Sequence, residues 1–475
     1  MTETQAAVRN PVDSSGVVFD VAVAGGGVVG CAMARRFTLE GARVVLLEKS
    51  VDILAGASKG NSAILHTGFD APGDSLELAC IRDGYREYLE IRGRLGLPLL
   101  ETGALVVAWT EQDQIRLEGI ESQALRNGVA DARRIGRAEL REREPHLAES
   151  ARAALLVPGE FLIDPWSAPL AYLRQALENG AEARFEAEVL SGALAGGVWN
   201  LATRAGAVRA RTVINCAGLY GDILEKRLLG RSRFTIHPRK GQFVVFDKIA
   251  SRLMRSILLP VPSERTKGIV LTRTVFGNVL VGPTAEEQDD RERAAVDRGT
   301  LAALIQKASE ILPALKDVPV TAVYAGLRPA TEYKDYQITS DPERQWITVG
   351  GIRSTGLSAA LGIANHVFRL YRGSGRAEAA REAVVWPEMP NLAEHCPRDW
   401  ETPGYGEIVC HCEMVTRREI EQALTGLLPA KDAGGLKRRT RAAMGRCQGF
   451  YCSGRIADLT RGRWKEPLAV GSVRG

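Results

Sequence analysis

The sequence lacks the features of membrane-spanning, secreted and nucleic-acid-binding proteins. It has no run of about 18 apolar residues, which excludes a membrane-spanning helix. Residues 1–17 are polar and have no apolar signal core, so we expect a cytoplasmic protein. The net charge of +5 is small for 475 residues and makes no case for nucleic acid as a partner. This length is sufficient for two or three domains, and no internal repeat or low-complexity tract is evident.

Cysteine is scarce, and its eight residues are unevenly spread. Four of them are isolated in the sequence: Cys31, Cys80, Cys216 and Cys396. A cytoplasmic chain keeps its thiols reduced, so we expect these four to be packing residues. The other four lie close to one another near the end of the chain: Cys410, Cys412, Cys447 and Cys452. Their grouping indicates a separate role.

Residues 19–30 form the motif around which the rest of the chain is organised. A run of small β-forming residues stops at glycines and continues as a helix, which predicts a strand, a tight turn and a helix. Gly25, Gly27 and Gly30 stand at the GxGxxG spacing, which permits the turn, the approach of a pyrophosphate and close packing of the helix. We therefore predict a dinucleotide at the helix N-terminus, although glycine is common here and the spacing also occurs in ordinary βαβ units.

The second predicted strand, residues 43–47, supports a nucleotide site. It ends at Glu48, whose carboxylate is placed to accept hydrogen bonds from the ribose hydroxyls of an adenosine. A carboxylate at this position repels a 2′-phosphate. The pattern therefore favours FAD or NAD over NADP.

Two later segments repeat this pattern of a buried strand that ends at glycine. The predicted strand within residues 211–222 ends at Ala217 and Gly218. The predicted strand within residues 346–351 precedes a helix rich in small residues. We expect the three junctions to converge on one parallel sheet built from separated segments, with a second, antiparallel layer between them. Residues 155–157 and 161–163 are predicted to form one hairpin, and residues 268–274 and 278–282 another.

The first junction, together with residues 60–68, 324–329 and 350–357, resembles the glycine-oxidase or D-amino-acid-oxidase-like flavoprotein superfamily. Within it the chain is most similar to the glycerol-3-phosphate dehydrogenase and L-2-hydroxyglutarate oxidase branches. The resemblance implies an α/β fold, with a Rossmann-type FAD-binding domain from segments at about 18–85, 150–230 and 320–375. It places an antiparallel β substrate domain at about 86–149 and 231–319. Residues 376–409 then form a linker.

The resemblance also implies residues for the flavin site. FAD would lie along Gly25, Gly27, Gly30 and Glu48, and its isoalloxazine ring would extend towards the loop around residues 61–66. The other cofactor-binding residues that the resemblance implies are Asn61, Ser62, Ala217, Gly218, Gly351, Thr355, Gly356 and Leu357. The last helix would direct its positive end at the anionic reduced ring.

His66 matches a histidine to which the family assigns the removal of the substrate's hydroxyl proton as hydride moves to the flavin. Imidazole has a suitable pKa for this step. The alternative interpretation is a histidine that is bonded to the flavin or fills the loop. Lys267 and Arg328 match family positions that bind an anionic substrate. Arg273, where the family usually has proline, and Arg353 add two cations, which favours a phosphate or a dicarboxylate.

The clustered cysteines have the pattern C-x-C, then 34 residues, then C-x4-C. Four thiolates at this spacing hold either zinc or a [2Fe-2S] cluster, and the spacing alone does not distinguish them. The flanking residues resemble the bacterioferritin-associated-ferredoxin-like [2Fe-2S] domain, which implies a small α-rich module at residues 410–465 with Cys410, Cys412, Cys447 and Cys452 as ligands. Basic residues between 437 and 446 are expected to surround the cluster or to form a solvated face.

These features predict an FAD-dependent dehydrogenase of a small anionic secondary alcohol, with sn-glycerol 3-phosphate as the leading substrate. Residues 352–357 are closer to the 2-hydroxy-acid and amine-oxidising branches, so L-2-hydroxyglutarate is the first alternative and hydroxyproline or an opine amine the second. A non-catalytic electron-transfer or iron-sensing flavoprotein is the alternative from another class. Electrons would leave through the cluster to a quinone or a redox protein. A second subunit would then hold the protein at the inner face of the cell membrane.

Overall fold

The computed structural model describes residues 16–262, 268–375 and 378–468, which contain two large sheets and a small C-terminal module. The strands are β1 (Val18–Ala24), β2 (Val44–Leu47), β3 (Ile64–Leu65), β4 (Leu99–Leu100), β5 (Ala104–Ala108), β6 (Arg133–Gly136), β7 (Ala153–Val157), β8 (Phe161–Ile163), β9 (Glu182–Arg184), β10 (Val189–Ala195), β11 (Val198–Thr203), β12 (Gly206–Asn215), β13 (Ile236–Phe246), β14 (Ile257–Pro260), β15 (Val270–Arg273), β16 (Val279–Gly282), β17 (Glu286–Glu287), β18 (Val320–Thr331), β19 (Gln337–Asp341), β20 (Trp346–Gly350), β21 (Ile408–Cys410) and β22 (Val415–Thr416). The α-helices are α1 (Val28–Leu39), α2 (Leu76–Ile91), α3 (Glu111–Arg126), α4 (Arg137–Arg143), α5 (Ser167–Glu178), α6 (Gly221–Leu229), α7 (Arg298–Ile311), α8 (Gly356–Gly373), α9 (Arg417–Ala423), α10 (Ala433–Thr440) and α11 (Ser453–Thr460).

The first sheet brings the three strand-to-glycine junctions together, as predicted. Strands β9, β2, β1, β12 and β20 lie side by side and run parallel, so the carboxyl ends of β1, β12 and β20 meet at one edge. Strands β10, β11 and β19 extend this sheet in antiparallel fashion. Ligands of open α/β sheets bind outside this edge. The predicted α/β fold with a segmented Rossmann-type domain is therefore confirmed.

The buried strands of this sheet send alternate side chains to its two faces. Val21 and Val23 on β1 pack into a core with helices α1, α2, α5 and α8. Ala22 and Ala24 face the opposite way and pack with residues of β10, β11 and α6. Because both faces are covered, β1 is apolar except at Asp20 and β2 is apolar along its whole length, so neither strand shows regular polar alternation.

The second sheet is mainly antiparallel and has the order β17, β13, β16, β15, β14, β5, β7, β6, with β18 paired to the other side of β13. Helices α4 and α7 cover one face and α3 covers the other. The predicted hairpin of β15 and β16 is confirmed. Strands β7 and β18 belong to this sheet, although the sequence placed both in FAD-binding segments.

The predicted hairpin of residues 155–157 and 161–163 is wrong. β7 pairs with β5 and β6, whereas β8 pairs with β3 and β4 in a separate three-stranded sheet. The turn at Pro158 and Gly159 therefore passes the chain from one sheet to another. This brings residues 64–65, which pair with β8, next to the turn.

The C-terminal module contains the β21–β22 hairpin and helices α9, α10 and α11 around a small apolar core. The described part of the preceding segment is irregular but packed, because Leu392 and Ala393 are buried in the core of the second sheet. No helix in the described ranges is long and apolar enough to span a lipid bilayer.

Candidate active site and cluster module

The dinucleotide turn is built as the glycine spacing predicts. Gly25 has a φ of +113°, and a Cβ there would overlap the Cys216 carbonyl oxygen at the end of β12. A Cβ on Gly30 would overlap the Gly25 carbonyl oxygen. Only glycine permits this approach of α1 to the two strands. Gly27 caps α1 without a side-chain hydrogen bond, so the backbone N–H groups of the first turn other than that of Val28, which is bonded to Ser58, are available to a phosphate.

Glu48 lies at the end of β2 and faces this turn. Its carboxylate accepts hydrogen bonds from Gly26 N at 2.6 Å and Ser50 N at 2.8 Å, which orient both oxygens. Ser58, which the sequence analysis did not select, accepts a hydrogen bond from Val28 N at 3.0 Å through its hydroxyl. Side chains that lie 22 and 30 residues further along the chain therefore fix the backbone of the turn.

A single cavity of about 1120 Å³ begins at this turn and extends between the two sheets. Its lining includes most of the residues that the sequence predicted for FAD: Gly25, Gly27, Glu48, Asn61, Ser62, Ala217, Gly218, Thr355, Gly356 and Leu357. Gly30 and Gly351 do not line it. Gly30 acts through helix packing, and Gly351 has a φ of +69° in the turn that leads into α8. The extended shape, the glycine turn and the ribose-facing carboxylate fit FAD.

The two sides of the cavity near α8 are tied together by hydrogen bonds. Thr355 is buried and donates to Glu77 on α2 at 2.6 Å, and its hydroxyl also contacts that of Tyr336 at 2.6 Å. Among the described residues, no side chain caps the N-terminus of α8. The first N–H groups of this helix therefore lie at the cavity wall, as expected for stabilising an anionic ring.

His66 lines the cavity and is held by a buried carboxylate. Its Nδ1 lies 2.8 Å from Oε2 of Glu160, which has no solvent exposure. The other oxygen of Glu160 accepts hydrogen bonds from the N and Oγ1 of Thr67, at 2.6 and 2.7 Å. The backbone N of His66 donates to Ser358 Oγ on α8 at 2.8 Å. Glu160 therefore directs the Nδ1 proton towards itself and leaves the Nε2 lone pair as the acceptor.

Glu160 is a candidate functional residue that the sequence pattern did not predict. It lies in the turn between β7 and β8, 94 residues from His66. The one available signal was an acidic residue in a turn between two apolar strands, and the wrong hairpin assignment hid it.

Asn61 and its neighbours form a loop that makes up another part of the cavity wall. The Asn61 side chain accepts from Ala63 N at 2.8 Å and donates to Ser58 O at 3.1 Å, so it shapes its own loop. Tyr324 on β18 donates to Asn61 O at 2.9 Å. This bond fixes the loop of the first sheet against a strand of the second.

Arg328 also lines the cavity, on β18. Its Nη2 donates to Thr284 O at 3.1 Å, whereas its buried Nη1 has no hydrogen-bond partner among the described residues. Burial, reinforced by the nearby charge of Arg239, lowers the pKa of Arg328 to about 10. A buried cation with an unused donor is costly by itself and is stabilised when an anion binds.

The other predicted substrate cations are placed differently. Arg353 lines the cavity and donates through Nη2 to Lys334 O. Lys267 lies outside the described residues. Arg273 is not among the residues that line the cavity, so its role as a substrate residue stays a prediction that the cavity geometry does not support. The strand alternation explains this, because Val270 lines the cavity while Arg273 lies near the buried carboxylate of Glu144.

The four clustered cysteines come together in the module as two contacting pairs. Cys412 interacts with Cys447 and Cys410 with Cys452 through side-chain hydrogen bonds. Within the described ranges, no group of three or more ligands is arranged around one centre. Backbone N–H groups of Tyr451, Gly449 and Phe450 are directed at the Cys447 thiol and, led by Tyr451, lower its pKa. Thiolate sulfurs that accept backbone hydrogen bonds fit an iron-sulfur cluster.

Three basic residues near the second cysteine pair form ion pairs within the protein. Arg439 binds both oxygens of Asp52, at 2.5 and 2.8 Å, and Arg441 is bonded to Glu413 at 2.7 Å. Both arginine side chains are at most 8% exposed, so the expectation of a solvated basic face is wrong for them. Arg446 stays largely exposed but extends to Asp247 at 2.8 Å. The pairs with Asp52 and Asp247 dock the module onto the two sheets.

Comparison with known proteins agrees with this geometry. Residues 20–370 match the family described as FAD dependent oxidoreductase, and residues 408–461 match the BFD-like [2Fe-2S] binding domain. The donor sets described above fit both groups, so FAD and a [2Fe-2S] cluster are the cofactors of the chain. The alternative of structural zinc, which the cysteine spacing left open, is thereby superseded.

Three relatives extend the comparison. Glycerol 3-phosphate dehydrogenase of Caloramator mitchellensis is 30% identical over 93% of this chain and 94% of its own length. One subunit of the anaerobic glycerol-3-phosphate dehydrogenase of Escherichia coli K12 is 25% identical, covering 93% of this chain and 87% of its own. The FAD-bound L-alpha-glycerophosphate oxidase of Mycoplasma pneumoniae superposes with a TM-score of 0.73 and 25% identity, covering 79% of this chain and 100% of its own. The chain therefore belongs to the FAD dependent oxidoreductase family and carries a C-terminal BFD-like [2Fe-2S] binding domain.

Proposed function

We propose that the protein oxidises sn-glycerol 3-phosphate to dihydroxyacetone phosphate and passes the electrons through FAD and [2Fe-2S] to a quinone or a redox protein. One observation carries this proposal: a histidine held by a buried carboxylate and an arginine with an unused buried donor line the same cavity. Oxidation of an anionic alcohol requires both groups. The dehydrogenase and oxidase relatives act on this substrate by name, which supports the choice.

His66 removes the hydroxyl proton. An alcohol surrenders hydride readily only when its proton is leaving, so the base must be oriented before the carbon reacts. Glu160 holds the ring through Nδ1 and thereby presents Nε2 to the hydroxyl. The Ser358 contact to the His66 backbone fixes the same residue from the α8 side. The imidazole is thus positioned from two elements.

Arg328 binds the phosphate. Its guanidinium offers two N–H groups in one plane, a geometry that suits phosphate oxygens. The Thr284 carbonyl occupies only Nη2, so Nη1 remains to bind the anion. Arg353, further along the same cavity, adds positive charge near the α8 N-terminus. Lys267 is proposed as a second phosphate contact on the basis of the family pattern alone.

FAD, when bound, would supply the acceptor for the hydride of the carbon that bears the hydroxyl. Gly25, Glu48 and the N-terminus of α1 would hold its ADP portion, and the loop around Asn61 and the first turn of α8 would hold its ring. The Cys410, Cys412, Cys447 and Cys452 thiolates would hold the cluster. The E. coli relative is named as one subunit of its enzyme, which supports a partner subunit that takes the electrons and holds this protein at a membrane.

An anaerobic absorption titration with sn-glycerol 3-phosphate tests the proposal. We expect the flavin to bleach first and the cluster bands to follow. L-2-hydroxyglutarate, a dianion, and hydroxyproline, a zwitterion that carries one carboxylate, serve as competing substrates. Bleaching by either of them, with the flavin left oxidised by glycerol 3-phosphate, would overturn the substrate assignment.

The variant His66→Gln tests the base separately. It keeps a polar side chain of similar size but removes the proton acceptor, so we expect the rate of bleaching to fall about 100-fold or more. Full activity in this variant would refute the role of His66. Reduction by dithionite controls for loss of bound FAD.

A further inference from the structure

We propose that the stacked rings of Trp166 and Phe276 carry electrons between the flavin side of the cavity and the cluster module, and that Arg441 holds the module against this stack. The inference rests on the proposed function for its electron source and deepens it by naming the path. The two ring centroids are 5.5 Å apart, and the ring planes differ by 12°. The rings belong to different parts of the fold, since Trp166 precedes α5 and Phe276 lies in the β15–β16 turn.

One end of the stack touches the cavity wall. The Trp166 indole N–H donates to the carbonyl of Lys59 at 3.3 Å. Lys59, Gly60 and Asn61 are consecutive residues that line the cavity. This is the loop that is proposed to hold the flavin ring. The Trp166 end of the stack therefore contacts the backbone of the loop that lines the proposed flavin site.

The other end reaches the cluster module through one side chain. The Arg441 guanidinium lies 4.0 Å from the Phe276 ring centroid, and its Nε donates to Glu413 at 2.7 Å. Glu413 directly follows the ligand Cys412. Arg441 is 4% exposed and adopts a φ of +67°, which is uncommon for a residue other than glycine. A backbone in this conformation is maintained only where its surroundings require it.

The surroundings hold each part of the column in place. Buried Asp164 accepts hydrogen bonds from Trp166 N at 2.9 Å and from the Ser167 hydroxyl at 2.6 Å, which orients the tryptophan at the start of α5. Lys248 bridges Glu413, at 3.1 Å, and Glu394, at 2.7 Å. The Glu394 N donates to the carbonyl of Val275, beside Phe276. Ion pairs thus tie the ligand loop to the turn that carries the ring.

Core packing alone explains one buried phenylalanine or one stacked pair. It does not require contacts that continue without a gap from the cavity wall to a residue beside a cluster ligand. Electron tunnelling slows steeply with every gap between contacting atoms. A rigid column of bonded and stacked groups is therefore a favourable path.

Electrons and protons balance over the transfer. The alcohol gives FAD two electrons as hydride, and its proton leaves through His66. A [2Fe-2S] cluster takes up one electron at a time, converting one of its two ferric ions to ferrous. The quinone or redox protein must reoxidise the cluster before the second electron follows.

The experiment reduces the flavin of the holoenzyme with light and a sacrificial tertiary-amine electron donor, without substrate, and then follows the flavin and cluster absorption bands. In Trp166→Leu and in Phe276→Leu we expect transfer from flavin to cluster to slow by roughly an order of magnitude. Trp166→Phe and Phe276→Tyr keep an aromatic ring and should retain most of the wild-type rate. Wild-type rates in both leucine variants would overturn the proposal. Because no substrate is used, a wrong substrate assignment does not affect the outcome.

Two further measurements separate electron transfer from structure. Trp386→Leu is the matched control, because Trp386 is also stacked by an arginine, Arg94 at 3.8 Å, but lies in the linker, away from the column. It should leave the transfer rate unchanged. Hydrogen exchange of the cofactor-free variants over residues 268–282 and 408–461 should match the wild type. If the leucine variants loosen these segments and Trp166→Phe is as slow as Trp166→Leu, the stack is a docking element and the proposed path is wrong.

Discussion

The Nδ1 atom of His66 lies 2.8 Å from Oε2 of Glu160, and the Thr67 N–H and hydroxyl engage the second oxygen of the same carboxylate. Three donors from two consecutive residues thus converge on one carboxylate with no solvent exposure. Replacing the carboxylate by an amide keeps its shape but removes its charge and one acceptor. The histidine then loses the group that fixes its tautomer.

We therefore predict that Glu160→Gln lowers kcat by about 10²-fold, with a smaller effect on KM. Stopped-flow bleaching measures the rate, and ¹⁵N NMR of the imidazole reports which ring nitrogen carries the proton. The control is Thr67→Val, which removes one of the three hydrogen bonds and should change the tautomer little. An unchanged tautomer together with an unchanged rate in Glu160→Gln would contradict this role.

Arg328→Gln should raise KM for an anionic substrate with little change in kcat once the site is saturated. Loss of a charge-assisted hydrogen bond costs about 1.5–3 kcal/mol, which corresponds to a rise of roughly 10- to 100-fold. The matched variant is Arg353→Gln: both arginines line the cavity and donate to a backbone carbonyl, but of these two only Arg328 has a buried nitrogen without a partner among the described residues, so we expect a smaller rise. Equal effects of the two substitutions would argue against Arg328 as the principal phosphate contact.

We expect the affinity for substrate to fall at a lower alkaline pH than is usual for a site that depends on an arginine. Burial lowers the pKa of Arg328 to about 10, so the guanidinium is charged below this pH and loses its proton above it. A phosphate ester is already dianionic above about pH 7, so the substrate contributes no titration in this range. Equilibrium titrations on both sides of this pKa should show an affinity that is constant at first and weakens above about 10. Circular dichroism at each pH controls for unfolding, and a constant affinity throughout would refute the prediction.

Gly30→Ala should prevent FAD binding. Its Cβ would overlap the Gly25 carbonyl, so α1 must move away from the turn that receives the pyrophosphate. The FAD content of the purified protein measures the effect. Gly119→Ala on the exposed surface of α3 is the control, because nothing lies within 4 Å of its Cβ. It should retain FAD and gain about 0.5–1 kcal/mol in stability.

Gly435→Ala should loosen the cluster module without unfolding the rest of the chain. The new Cβ would overlap Asp52 Oδ2, in the space where the N-terminus of α10 meets this carboxylate. Hydrogen exchange over residues 408–461 should accelerate. Gly454→Ala in α11, with nothing within 4 Å of its Cβ, should leave exchange unchanged. Equal protection in both variants would show that the Asp52 contact does not hold the module.

The sequence predicted the parts of the site that depend on local pattern. A buried strand that ends in glycine at Gly25, Gly218 or Gly350 has a local signature, and parallel pairing then brings the junctions together. Glu160 has no such signature, because its role arises only when β8 pairs with β3 and brings the turn beside His66. The face that Arg273 occupies depends on strand register, and the family pattern does not supply it. The destination of Arg439 depends on docking between domains, which charge composition does not encode.

Asp52 lies four residues beyond Glu48, on the same loop. One end of this loop contacts the ribose side of the cofactor site, and the other receives Arg439 of the cluster module. Because both contacts depend on one loop, we expect cofactor retention and module docking to be thermodynamically linked. Such coupling is reciprocal. The factor by which bound FAD favours docking of the module equals the factor by which the docked module raises the affinity for FAD. We therefore expect a chain that has lost its flavin to bind more weakly the module that would receive the electrons.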